Sequence, residues 1–202
     1  MEDLANDLVG LLDCIGCGQT HFVGSSLGVM VGFALALGHA ARPFSLTFMA
    51  SKGVLPEEGI TRARENIAET RTSGAGNRTT LAGQTDAMLR RLRHNSDEAA
   101  NPEQVALLRR IIGETTAFGQ ARAYEAIFGM NYDGWLGEIR TPTLVLAGAQ
   151  DVSTPPARIQ IYKDGIAGAK MEVLQKAGYF PNVEQPDAFN KALRIFLDGL
   201  GS

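Results

Sequence analysis

His21-Phe22-Val23-Gly24-Ser25-Ser26-Leu27-Gly28 decides how this chain is read. Residues 24–28 form a G-x-S-x-G run, the three residues before it are strand-like, and an apolar helical pattern follows. The arrangement predicts a nucleophile elbow, a sharp strand-to-helix turn that holds the Ser26 hydroxyl out toward a substrate. A five-residue match arises readily by chance in a glycine-rich chain, so the surroundings must agree with it.

Upstream, Leu4, Leu8, Leu11, Leu12 and Ile15 repeat at helical spacing, predicting an amphipathic helix over 1–15 that Gly16 and Gly18 stop. A strand over 20–25 and a helix over 27–38 follow, with Gly28 and Gly32 on one helical face for close packing on a sheet. Residues 44–50 read as a second strand. From 53 to 138 the chain turns polar and helical. There Asn101-Pro102-Glu103-Gln104 is a helix start, with Val105, Leu108 and Ile112 as its buried stripe. Strand signals return at 142–148, an apolar run of the kind buried on both faces of a parallel sheet. A helix over 155–164, a strand at 171–174 and a last helix marked by Phe189, Leu193, Phe196 and Leu200 complete the chain. Strands alternating with helices imply a mostly parallel α/β sheet. The expected organisation is an α/β core over 1–52 and 139–202, with an all-helical cap inserted over 53–138.

With 202 residues, 45% of them hydrophobic, the chain can build a real core, and its net charge of −3 gives no basic face for nucleic acid or a membrane surface. Arg90, Arg91, Arg93, Arg109 and Arg110 read as the solvated sides of helices. No run of 18 apolar residues occurs, and Met1-Glu2-Asp3 is acidic where an export signal is basic, so a cytoplasmic protein is expected. Cys14 and Cys17 form a lone C-x-x-C without the further ligands a zinc site needs, and read as incidental thiols at a helix end. Neither a metal nor an organic cofactor is implied.

Four blocks in this order resemble the α/β-hydrolase fold: 21–28 with the elbow; Phe44-Ser45-Leu46-Thr47-Phe48-Met49-Ala50-Ser51; 142–151 ending in Gly148-Ala149-Gln150-Asp151, with Thr154-Pro155-Pro156; and Ala177-Gly178-Tyr179-Phe180-Pro181 through Pro186. The chain is most similar to the capped branch of enol-lactonases and small-ester hydrolases, of which 3-oxoadipate enol-lactonase is typical. The resemblance implies Ser26 as nucleophile, Asp151 as the acid and the Leu27 amide as an oxyanion donor, with Ser25 and Phe180 beside the substrate. The substrate class it implies is a small carboxylic ester or lactone.

The resemblance breaks in two places. Where the family carries its catalytic histidine, in a Gly-His-x-Pro stretch, this chain has Tyr179. A phenol with a reference pKa of about 10 holds its proton at working pH and cannot act as the base. His21 would lie about 16 Å from Ser26 along an extended strand, and His39 about 20 Å away down the following helix. Both read as structural; His94, in the insertion, is the one histidine that geometry leaves open. The family also begins with about four strands and a helix that have no counterpart here, and with them goes the second oxyanion amide. The elbow strand is thereby left as an open edge, suited to pairing with another chain.

Three readings stand together at this point. One is a hydrolase of small esters or lactones with impaired turnover. Another is a catalytically inactive member serving as a binding or oligomerisation module, such as a homodimer through the open edge, with Tyr179 bonding to Asp151 or Ser26 or donating to a ligand. The third is a truncated gene product.

Overall fold

The computed structural model describes residues 1–51, 81–93, 102–128 and 130–201, together with 57, 60, 61, 64, 65, 67 and 68. His94, Asn101 and the loop expected at 72–77 lie outside the described residues. Four strands, β1 (Thr20–Ser25), β2 (Pro43–Met49), β3 (Thr143–Gly148) and β4 (Lys170–Leu174), pair in chain order into one sheet that is parallel throughout. Each therefore needs a crossover back to its starting end. Helix α2 (Leu27–Gly38) supplies the first, and the helices between β2 and β3 interrupt the second.

Burial falls off from the centre of the sheet outward. All six residues of β3 are buried, as its unbroken apolar run predicts, whereas in β1 only Gly24 is. Within the described residues β1 bonds to β2 on one side alone. Helix α2 is apolar on nearly every side because it is sandwiched: Val29 and Phe33 press on the sheet while Ala34 and Leu35 meet α1 (Glu2–Cys14). Gly32 makes this possible, since a Cβ there would stand 2.7 Å from Phe48 and 2.8 Å from Phe22. Gly28 has a different part from the one its spacing suggests. A Cβ on it would meet nothing, and it is the residue across from it, Gly24, that has no room, lying against the backbone of Gly28.

Helix α1 forms where expected, but its stripe is only half used. Ala5 and Leu12 are buried, whereas Leu4, Leu11 and Ile15 are exposed, because among the described residues α2 is the main neighbour of α1 and covers a narrower arc than the apolar residues span. On the sheet face that carries α2, α6 (Pro156–Gly165) adds Ile159 and Tyr162 to a core built on Phe33, Phe48 and Val145. The opposite face is covered by α7 (Pro186–Asp198), whose Phe189 and Phe196 sit on Leu144, Leu146 and Leu174.

Between β2 and β3, α3 (Thr85–Leu92), α4 (Pro102–Glu114) and α5 (Ala117–Ile127) are helical, as the insertion's composition predicts. Val105, Leu108 and Ile112 form the expected stripe and close on Leu89. Arg90 and Arg110 face solvent, and Arg109 pairs with Asp86. Cys14 and Cys17 are unbridged, the latter's thiol donating to the Gln19 carbonyl. Among the described residues no helix is long and apolar enough to cross a membrane.

Candidate active site

Ser26 stands between β1 and α2 with φ 53° and ψ −115°, a left-handed conformation that a residue with a Cβ resists at a cost of about 1–3 kcal/mol. Three contacts impose it. The Ser26 N–H donates to the Met49 carbonyl on the neighbouring strand, its own carbonyl accepts from Val29, and the missing side chain of Gly24, which lies against the Gly28 backbone, lets the turn close. The side chain is thus lifted out of the strand before the helix begins, and the residue is half-buried. Leu27 and Gly28 open the helix, where backbone N–H groups have no acceptor of their own and the helix dipole is positive. An oxyanion forming beside Ser26 would meet both. Ser25, the last residue of β1, is exposed next to it.

Asp151 follows β3 in a tight turn and is buried, with 4% of its surface exposed. Its carboxylate accepts from the Ser153 and Thr154 amides through Oδ1 and from the Thr154 hydroxyl through Oδ2. Three local donors fix the orientation of this charged group and offset the loss of water around it.

Tyr179 lies in the loop after β4, half-buried, with its ring edge-on to Phe180 at 5.2 Å. The loop is anchored from three directions. Its Gly178 and Phe180 amides both donate to Oε1 of Glu184, and the Tyr179 amide donates to the carbonyl of Leu92 at the end of α3. The Asp151 turn is stitched on as well: the Gln150 amide donates to the Ala177 carbonyl, and the Gln150 side-chain oxygen accepts from the Ala177 amide. Gly148 lies so close that a Cβ on it would be 2.1 Å from the Gly178 oxygen. Phe180 carries the loop into the cluster of Leu89, Val105, Leu108 and Ile112.

The three candidate side chains therefore leave the same end of the sheet, Ser26 after β1, Asp151 after β3 and Tyr179 after β4. Two of the histidines are engaged elsewhere. His21 Nδ1 is 2.8 Å from the Ser45 hydroxyl with Phe44 against its ring, and His39 Nε2 is 2.8 Å from Oδ1 of Asn6. Glu184 and Gln150 went unnoticed in the sequence although they hold the loop. Glu184 carried a faint signal, an acid one turn into a helix reaching back to the amides before it, as in the acidic half of a capping box. Among the described residues no group of three or more His, Cys, Asp or Glu side chains is arranged to hold a metal ion.

An elbow heading a helix on a parallel sheet, with an acid turn and an anchored loop at the same edge, defines an α/β-hydrolase, and the chain belongs to the alpha/beta hydrolase family, whose model matches residues 1–192. It is 32% identical to 3-oxoadipate enol-lactonase 2 of Acinetobacter baylyi over 198 residues, which cover 98% of this chain and 70% of that protein. Among solved structures, the enol-lactonase from Burkholderia xenovorans superposes with a TM-score of 0.84 at 28% identity, covering 98% of this chain and 72% of the other. A thermophilic esterase from Thermogutta terrifontis gives 0.86 at 26% identity, covering 100% and 73%.

Proposed function

We propose that this chain is a serine hydrolase of small carboxylic esters or lactones whose turnover is slow for want of an imidazole. The turn at Ser26 carries the reading, because it sets a left-handed serine, the centre of a G-x-S-x-G run, directly between a parallel strand and the helix that follows it. In the proposed reaction the Ser26 oxygen bonds to the acyl carbon, and its proton passes to hydroxide or water. The Leu27 amide stabilises the negative oxygen that results. Collapse breaks the bond to the leaving oxygen, which takes a proton from water or from the Tyr179 phenol, the phenol then regaining its proton from water. Water then attacks the acyl-enzyme, freeing the acid and restoring Ser26. Asp151 keeps the place of the acid in a triad whose middle member is absent. The similarity to enol-lactonases and an esterase supports the substrate class.

The test is hydrolysis of chromogenic short-chain esters and of lactones by the parent, Ser26→Ala and Tyr179→His. Restoring a general base is expected to raise the rate by about 10²–10⁴-fold, and Ser26→Ala to abolish both the parent and the raised rates. A parent rate that survives Ser26→Ala, together with an inert Tyr179→His, would remove the proposal.

A second reading, a binding module that pairs with another copy through β1, is favoured by one observation. The edge of β1 that pairs with no strand among the described residues, with Val23 44% exposed, lies in the same part of the chain as the exposed Leu4, Leu11 and Ile15 of α1. Sedimentation at micromolar concentration distinguishes it: a dimer supports edge pairing, and a well-folded monomer removes it.

A further inference from the structure

At the far end of α2 from the elbow, 12 residues and so about 18 Å down the helix, a groove of about 570 Å³ opens between α1, the last turn of α2 and the short 3₁₀ helix Asp133–Glu138. Its lining includes Glu2, Asn6, His39, Tyr132 and Trp135 above an apolar floor with Ala34. We propose that this groove is a binding site, separate from Ser26, for a small substituted ammonium ion.

Three observations converge on that class of ligand. Trp135 is 53% exposed at the groove and Tyr132 is half-buried beside it, so two electron-rich rings are presented to one space. Rings of this kind attract a cation over their faces, most strongly when the cation carries alkyl groups and sheds water easily. The charges agree. Glu2 has no ion-pair partner among the described residues, and no lysine or arginine lines the groove. The groove is also built in advance. His39 and Asn6, both in its lining, bond to each other, and the Tyr132 ring is seated on Phe33 at 5.2 Å, so these side chains are held in place before a ligand arrives. The Tyr132 hydroxyl, pushed up to about 12 by burial and then by Glu2, stays protonated and adds no charge of its own. A neutral ligand would gain nothing from the exposed Glu2 carboxylate, and an anion would be repelled by it.

Trp135 is the sole tryptophan of the chain, so its emission reports on this groove alone. The experiment titrates the full chain with choline at constant ionic strength, against neohexyl alcohol, its uncharged isostere. A saturable change in emission with half-saturation of roughly millimolar is expected for choline, with the alcohol weaker by at least about tenfold. Glu2→Gln should weaken choline by about tenfold and leave the alcohol unchanged, while Ser26→Ala should leave both titrations as they are. Calorimetry on Trp135→Leu, with its fold checked by circular dichroism, should show choline binding lost. A response that stays linear in choline, an alcohol that binds as well as choline, or a Glu2→Gln chain that binds choline undiminished would overturn the proposal.

Discussion

The elbow and the loop after β4 lie at the same end of one sheet, and both hold a residue away from regular structure, yet they are built differently. At the elbow the backbone does the holding: Ser26 bonds to Met49, and Gly24 fits against the Gly28 backbone because it has no side chain of its own. In the loop, side chains and a neighbouring helix do it, through Glu184, Gln150 and the Leu92 carbonyl, and none of these bonds uses the side chain of residue 179. A scaffold of the second kind can survive a change in the residue it carries. A loop held in this way can carry a phenol at position 179, where the resemblance leads one to expect an imidazole.

The comparison can be broken or sharpened experimentally, and the largest effect expected is on pH dependence. If hydroxide takes the Ser26 proton, the parent rate should rise by about a hundredfold between about pH 7 and 9. In Tyr179→His the profile should level off above about pH 6.5, where the imidazole is neutral. A parent profile that levels off near neutrality would mean another group serves as base. Next in size is Gly148→Ala, which drives a Cβ into the Gly178 and Ala177 carbonyls. A loss of about 3 kcal/mol is expected from denaturant midpoints, whereas Gly28→Ala, with open space around it, should change stability by no more than about 1 kcal/mol.

Glu184→Gln probes the loop's own anchoring. Weakening two bonds to a charged acceptor should lower stability by about 1–2 kcal/mol. It should also reduce the gain from Tyr179→His, with rescue by Glu184→Asp incomplete because the shorter chain reaches less far. The smallest effect belongs to the elbow. Ser26→Gly removes the left-handed strain and should stabilise the fold by about 1 kcal/mol while ending ester hydrolysis. A destabilised Ser26→Gly chain would show that the turn carries no strain.

Much of the fold was legible because it is written locally. The apolar run of β3, Gly24 of the elbow, the Val105-Leu108-Ile112 stripe and the Phe189-Phe196 face each declare themselves within a few residues. What failed was burial that depends on a distant neighbour. Leu4, Leu11 and Ile15 have helical spacing but are uncovered, since spacing says where side chains point and not what arrives to meet them. Of the candidate site, Ser26 was readable from its motif, whereas Asp151 and Tyr179 were found through resemblance. Their supporting residues were out of reach, because Glu184 and Gln150 act on amides that only the folded chain brings near. The aromatic groove was invisible for the same reason: Glu2 and Trp135 are far apart in sequence and meet only once α1 has packed on α2.

The central claim, that Ser26 is a nucleophile awaiting a base, is tested most directly by covalent capture. Tyr179→His is treated with an alkyl fluorophosphonate, so that the serine oxygen bonds to phosphorus as fluoride leaves with the proton, and the adduct is mapped by mass spectrometry. One adduct per chain on the peptide bearing Ser26, formed far faster than in the parent and absent when Ser26→Ala is added, is the result expected. A chain with the histidine restored that stays unmodified, or carries its label elsewhere, would contradict the account.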